Sequence, residues 1–178
     1  MYQEVLDFWF KEIEPRQWWI KDNAFDQLIR DRFSTIHDQA SRCELFSWRD
    51  SAQGRLAEIV VLDQFSRNMF RGTARAFAQD QMALVLSQEA ISLGIDFELP
   101  SKKRSFMYLP FMHSESLLIH EQAEALYRRS GDQSSLEYEL KHKKIIERFG
   151  RYPHRNEILG RESTEEEKEF LREPGSSF

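Results

Sequence analysis

The chain has 178 residues, 40% hydrophobic and 13% aromatic, enough to bury roughly 70% of its unfolded surface around one core rather than two. Acidic side chains outnumber basic ones, 30 to 25, and the formal charge of -5 opposes nonspecific adhesion to nucleic acid, because phosphate attraction scales with the cations presented. Cys43 is the single cysteine, which excludes an intramolecular disulfide and a cysteine-based zinc site.

The opening "MYQEVLDFWF" carries Glu4 and Asp7 where a signal peptide needs positive charge, and no apolar run approaches the ~18 residues of a membrane span. The expectation is a soluble, cytoplasmic protein with neither membrane nor nucleic acid as partner. Val5, Leu6, Trp9, Phe10 and Ile13 fall on one helical face, and Pro15 ends that segment. Phe25, Leu28, Ile29, Phe33 and Ile36 repeat the pattern after Asp22 or Asn23, either of which can cap the free amides of a second helix. Leu56, Ile59, Val60 and Leu62 predict a third helix. Phe77, Met82, Val85, Leu86 and Ile91 predict a fourth, closed by Gly94.

From Pro100 the pattern predicts a short helix, a break at Pro110, and a longer helix closing at Gly131. Leu136, Leu140, Ile145, Ile146 and Phe149 line the next helix, which stops at Gly150. Pro153 suits the first turn of a short helix through Leu159, since its missing amide hydrogen would have gone unpaired there. "STEEEKEFL" holds the Ser/Thr-x-x-Glu spacing of a capping box, and residues 174–178 read as a flexible tail. No alternating strand pattern is present. The expected fold is all-α, a single helical domain over 1–178 built from antiparallel helix pairs, without a strict repeat of about 34 residues.

Three polar blocks interrupt these helices. "DQFSRNMFRGTAR" sets Asp63 beside Arg67, Asn68, Arg71 and Arg75 where a helix gives way to a turn. "FMHSES" presents His113, Ser114 and Glu115, and "ERFGRYPHRN" adds Arg148, Arg151, His154, Arg155 and Asn156. All three lie near predicted helix ends, where unpaired backbone groups and helix dipoles favour ions.

The blocks "DQFSRNMFRGTARAFAQD", "FMYLPFMHSES" and "IIERFGRYPHRNEILGRESTEEEKEFL", in this order and spacing, resemble the bacterial domain-of-unknown-function family 924 over nearly the whole chain. The resemblance implies a tetratricopeptide-like, α-α superhelical arrangement and no established reaction. It points to the same polar positions, with Gln64 among them. Ser66 stands where the family has proline, which implies a less rigid turn after Phe65.

Two functional readings follow from these residues. In one, Asp63, Arg67, Asn68, Arg71, Arg148, Arg151, Arg155 and Asn156 form a site whose guanidinium forks hold a small carboxylate or phosphate. His113 or His154 then exchanges protons, with Glu115 as partner. In the other, the stacked helices form a groove that captures an acidic peptide or carboxy-terminus, without chemistry. A compact pocket at His113 and Glu115 would favour the first, a long open groove the second. The same arginines also fit an ion-pair network tying helix ends together. His142, beside Ile145 and Ile146, reads as a core histidine. Glu139 and His142 give a single Glu-x-x-His, and "HEQAE" lacks the second histidine of a zinc protease, so neither metal nor cofactor is expected.

Overall fold

In the computed structural model, which describes residues 1–177, helix follows helix and no strand occurs among the described residues. The first helix, α1 (Tyr2–Asp7), continues as a π turn at Phe8–Glu12, and together they bury Val5, Leu6, Phe8 and Trp9. The carboxylate of Asp22 accepts the amides of Ala24 and Phe25 at the start of α2 (Asn23–Ser41), supplying partners that the first helical turn lacks. Phe8, Phe33 and Phe65 pack at centroid distances of 4.9 and 4.8 Å, with Trp9 edge-on to Phe65 at 5.4 Å.

The middle of the molecule is α3 (Ala52–Val60), where residues 56–66 are buried without interruption, as suits a helix surrounded by others. Its approach to the preceding turn is so close that a Cβ on Gly54 would lie 1.9 Å from the Trp48 carbonyl oxygen. At Val61–Phe65 the helix widens into a π segment and then continues as α4 (Ser66–Met69). The looser turn expected at Ser66 is therefore absent. Its hydroxyl instead donates to the Leu62 carbonyl at 2.6 Å and lies 2.8 Å from Nε2 of His37.

Beyond a 3-10 turn at Ala74–Phe77 comes α5 (Asp80–Ser92), and then α6 (Ser101–Met112). The break predicted at Pro110 does not occur: α6 runs through it to Met112, and the chain turns at 113–116 instead. Pro110 removes one bond, its own to the carbonyl four residues back, and that single loss does not end the helix. Then α7 (Leu117–Ser130) and α8 (Gln133–Phe149) form a tight hairpin, each stopped by a glycine in the left-handed region, Gly131 at φ 74° and Gly150 at φ 67°. Tyr152 is extended, as its place before proline dictates, and Pro153 opens a 3-10 turn, Pro153–Arg155, shorter than the helix expected to Leu159. The final helix, α9 (Glu165–Phe170), carries the capping box between Thr164 and Glu167.

Each of α5 to α7 packs against its successor, and α3 packs against α1, α5 and α6. This succession is compatible with a tetratricopeptide-like stack. Of the predicted tail, Phe178 lies outside the described residues, while Ser176 is buried and donates its hydroxyl to the Leu171 carbonyl at 3.2 Å. Among the described residues no helix is long and apolar enough to cross a membrane.

Candidate functional site

The π segment places Asp63, a fully buried carboxylate, between α4 and the end of α6. His113 reaches it from the turn after α6, with Nδ1 2.7 Å from Oδ1, while Gln64 Nε2 donates to Oδ2 at 2.5 Å. Arg67, one turn on, donates to the Asp63 backbone carbonyl at 2.7 Å and lies 3.3 Å from its carboxylate. Burial alone would raise the Asp63 carboxyl. The His113 ring, the Arg67 guanidinium and the hydrogen bonds from His113 and Gln64 outweigh burial and hold it well below the usual carboxylate range. With Asp63 ionised, Nδ1 of His113 carries the proton and donates it, so Nε2 of the neutral ring is the basic nitrogen. Burial, followed by the adjacent Arg67, pushes the His113 imidazole down against the pull of Asp63.

Arg67 turns its other edge to Asp80 at the start of α5, in a two-point contact at 2.9 and 3.0 Å. Asp80 also accepts from Nη1 of Arg155, at 3.4 Å. Arg155 is buried, and its guanidinium carbon lies 4.6 Å from the ring centroids of both Phe77 and Tyr152. Burial and the nearby Arg67 make its charge harder to hold than usual, and its buried Nε–H has no hydrogen-bond partner among the described residues.

Asp80, His113, Glu115 and Arg155 line one cleft of about 560 Å³ together with the apolar Phe77, Leu84, Pro110 and Leu159, while Asp63 and Arg67 lie behind it. Glu115 is held by Arg161 at 2.6 and 2.9 Å and by the Tyr152 amide at 2.7 Å. Burial opposes these contacts, but they keep its carboxyl below its ordinary value. Ser114 and Ser116 complete the rim, and Ser116 begins α7 without capping it through its side chain.

Behind the rim, His120 reaches the Ser114 carbonyl at 2.8 Å through Nε2 and Glu139 at 2.7 Å through Nδ1, with both side chains fully buried. Among the described residues no group of three or more His, Cys, Asp or Glu is placed to hold a metal ion. A second hollow, about 480 Å³ between α5, α6 and α7, is lined by Ile91, Phe111 and Leu126, with Arg129 its only charged residue.

The structure thus gathers Asp63, Arg67, His113, Glu115 and Arg155, drawn from all three sequence blocks. The His154 ring lies tilted against Tyr152 at 5.5 Å, and burial, then Arg155, push it down to about 4, so it is neutral at physiological pH. Asn156 bridges Ser163 and Arg161 beneath the site, each at 3.0 Å. The remaining predicted residues face elsewhere. Asn68 and Arg71 both grip Asp26 of α2, at 2.8 Å and at 2.5 and 2.8 Å. Arg148 pairs with Glu166 at 2.8 Å, and Arg151 takes Glu167 in a two-point contact at 2.6 and 2.8 Å, both tying α9 to the end of α8.

Sequence reasoning missed Asp80, Tyr152 and Arg161. Asp80 reads as an ordinary acidic residue at a helix start, which complements the dipole and draws no notice. Its signal was a need: several buried arginines require more carboxylate than Asp63 can offer.

An all-helical chain with this cleft at its helix ends defines a class by architecture. The family model described as "Bacterial protein of unknown function (DUF924)" matches residues 5–175, so the chain belongs to that family. It is similar to a solved structure of the protein of unknown function ATU0120 from Agrobacterium tumefaciens, at 42% identity and a TM-score of 0.91 over 96% of each chain. No functionally curated protein matches the sequence.

Proposed function

We propose that the cleft binds a small anionic molecule, with Arg155 as the anion-binding group and His113, oriented by Asp63, as the acid or base that moves a proton on it. The observation that carries this reading is that one cleft is lined both by a buried, incompletely partnered arginine and by a histidine whose second ring nitrogen is the basic one. A carboxylate behind an imidazole fixes its tautomer and steadies the imidazolium that forms when it takes a proton. A cleft of about 560 Å³ is of metabolite size, which favours a small molecule over an acidic peptide or carboxy-terminus.

Melting the protein against a panel of carboxylate and phosphate metabolites tests this. A ligand at roughly 100 times its Kd should stabilise the fold by about 2.7 kcal/mol, a rise of roughly 5 to 10 °C for a chain of this size. Arg155→Lys should lose most of that rise. His113→Gln should keep binding and lose turnover of whatever is converted. A panel in which no anion raises the melting temperature would dispose of the proposal.

A further inference from the structure

The ring of His120, at the start of α7, meets three oxygens from three parts of the fold. Nε2 lies 2.8 Å from the carbonyl of Ser114 and 3.2 Å from the hydroxyl of Tyr152, and Nδ1 lies 2.7 Å from Oε1 of Glu139 on α8. The Tyr152 hydroxyl gives its own hydrogen to the Met112 carbonyl at 2.5 Å, so towards the ring it accepts, as the Ser114 carbonyl must. Nε2 therefore carries a hydrogen. To close the contact with Glu139, Nδ1 either accepts from a carboxylic acid or donates to a carboxylate. In both cases the pair holds one proton more than a neutral ring beside an ionised carboxylate.

The surroundings favour keeping that proton. Both side chains are fully buried, and Oε2 of Glu139 has no hydrogen-bond partner among the described residues, which costs less for the carbonyl oxygen of an acid than for half of an anion. Burial raises the Glu139 carboxyl, against the pull of His120 and then Lys143. The other titratable groups around the pair add little net charge. Lys143 and Glu124 neutralise one another at 2.8 Å, burial holds Tyr127 and Tyr152 up and His142 down at about 3, and His113 is likewise pushed down.

Losing the shared proton breaks one contact whichever way the ring answers. If the remaining hydrogen stays on Nε2, a bare Nδ1 faces a buried carboxylate. If it moves to Nδ1, the carboxylate is met and Nε2 turns a lone pair on the Ser114 carbonyl. A buried anion is the costlier group to leave unmet, so the second course prevails. Ser114 lies in the turn 113–116, which brings His113 and Glu115 to the cleft.

We propose that His120 and Glu139 form a base-released clasp on the cleft: with the shared proton in place the ring holds the turn 113–116 to α8, and loss of that proton moves the ring's hydrogen to Nδ1 and frees the turn. The clasp bears on the cleft wall whatever the cleft binds, so its test needs no ligand. Glu139→Gln offers Nδ1 an amide hydrogen that base does not remove, and should hold the clasp shut.

The test follows the ring nitrogens of His120 and amide exchange across the turn 113–116 in the whole chain labelled with ¹⁵N, wild type and Glu139→Gln side by side. At about pH 6 both proteins should show the hydrogen on Nε2. Towards about pH 9 the wild-type hydrogen should pass to Nδ1, and exchange in the turn should outrun that of the variant by up to ~10-fold for each pH unit, while the variant keeps Nε2–H throughout. If Glu139→Gln does not fold, the wild-type titration alone decides. A wild-type ring with its hydrogen on Nδ1 alone at the acid end, or a ring and turn unchanged across the range, overturns the proposal. So does a variant that loosens in step with the wild type.

Discussion

Nδ1 of His113 and Oδ1 of Asp63 lie 2.7 Å apart across 50 residues of sequence, and this contact joins the π segment to the turn after α6. Asp63→Asn keeps the shape and removes the charge. Arg67 and His113 then face a neutral amide in a buried setting, and the fold should lose about 3 kcal/mol. The wild-type ring should show its proton on Nδ1 at neutral pH, and the variant a mixture of tautomers. Nitrogen chemical shifts of His113 read this directly, and a wild-type ring protonated on Nε2 alone would contradict the orientation argued above.

Acid should weaken the protein well before its carboxylates are titrated. Burial pushes His142 down to about 3 and His154 down to about 4, against an ordinary value of 6.5. Between these values and 6.5 the unfolded chain binds protons that the folded rings refuse, so stability is intact above that window and falls as pH drops through it. The slope is about 1.4 kcal/mol per pH unit for each ring, or about 2 kcal/mol each at pH 5. Urea unfolding at neutral and mildly acidic pH measures it, and His142→Gln should remove about 1.4 kcal/mol per pH unit from the slope.

Arg151→Ala should loosen α9 without touching the cleft. The guanidinium holds both oxygens of Glu167 and the Glu162 carbonyl, and Glu167 in turn closes the capping box on Thr164. The expected result is faster limited proteolysis near residues 160–170, with the affinity for cleft ligands unchanged. Loss of ligand affinity would move Arg151 back into the site.

Gly54→Ala should destabilise although alanine favours helices. A methyl group there would collide with the Trp48 carbonyl, and backbone must shift to admit it. A net loss of about 1–3 kcal/mol is expected, as for overpacking elsewhere, against the ~1 kcal/mol that alanine normally gains over glycine. Urea denaturation followed by tryptophan fluorescence would show it.

Helix ends were the most legible part of the sequence, because Gly94, Gly131 and Gly150 each mark a left-handed cap that few other residues tolerate. Pro110 misled because a proline removes one bond from a helix, and that single loss does not end it. The site was half legible. Arg67 and Asn68 are neighbours in sequence, yet one step along a helix turns a side chain by about 100°, so they serve Asp80 and Asp26 on opposite sides. Arg148 and Arg151 looked like ligand groups because the capping box announces α9 but not that its Glu166 and Glu167 fold back onto the end of α8.

The π segment at Val61–Phe65 also fixes the angular phase of everything after it. One residue more than an α-helix needs is absorbed there, which offsets α4 from α3 by about 100°. Deleting a single residue from the segment would restore regular winding and leave Arg67 aimed at Asp80, whereas rewinding all of its residues as regular α-helix would turn Arg67 by about 100° and break that pair. The locally imperfect winding sets the aim of Arg67, and hence which side of the molecule can carry the site.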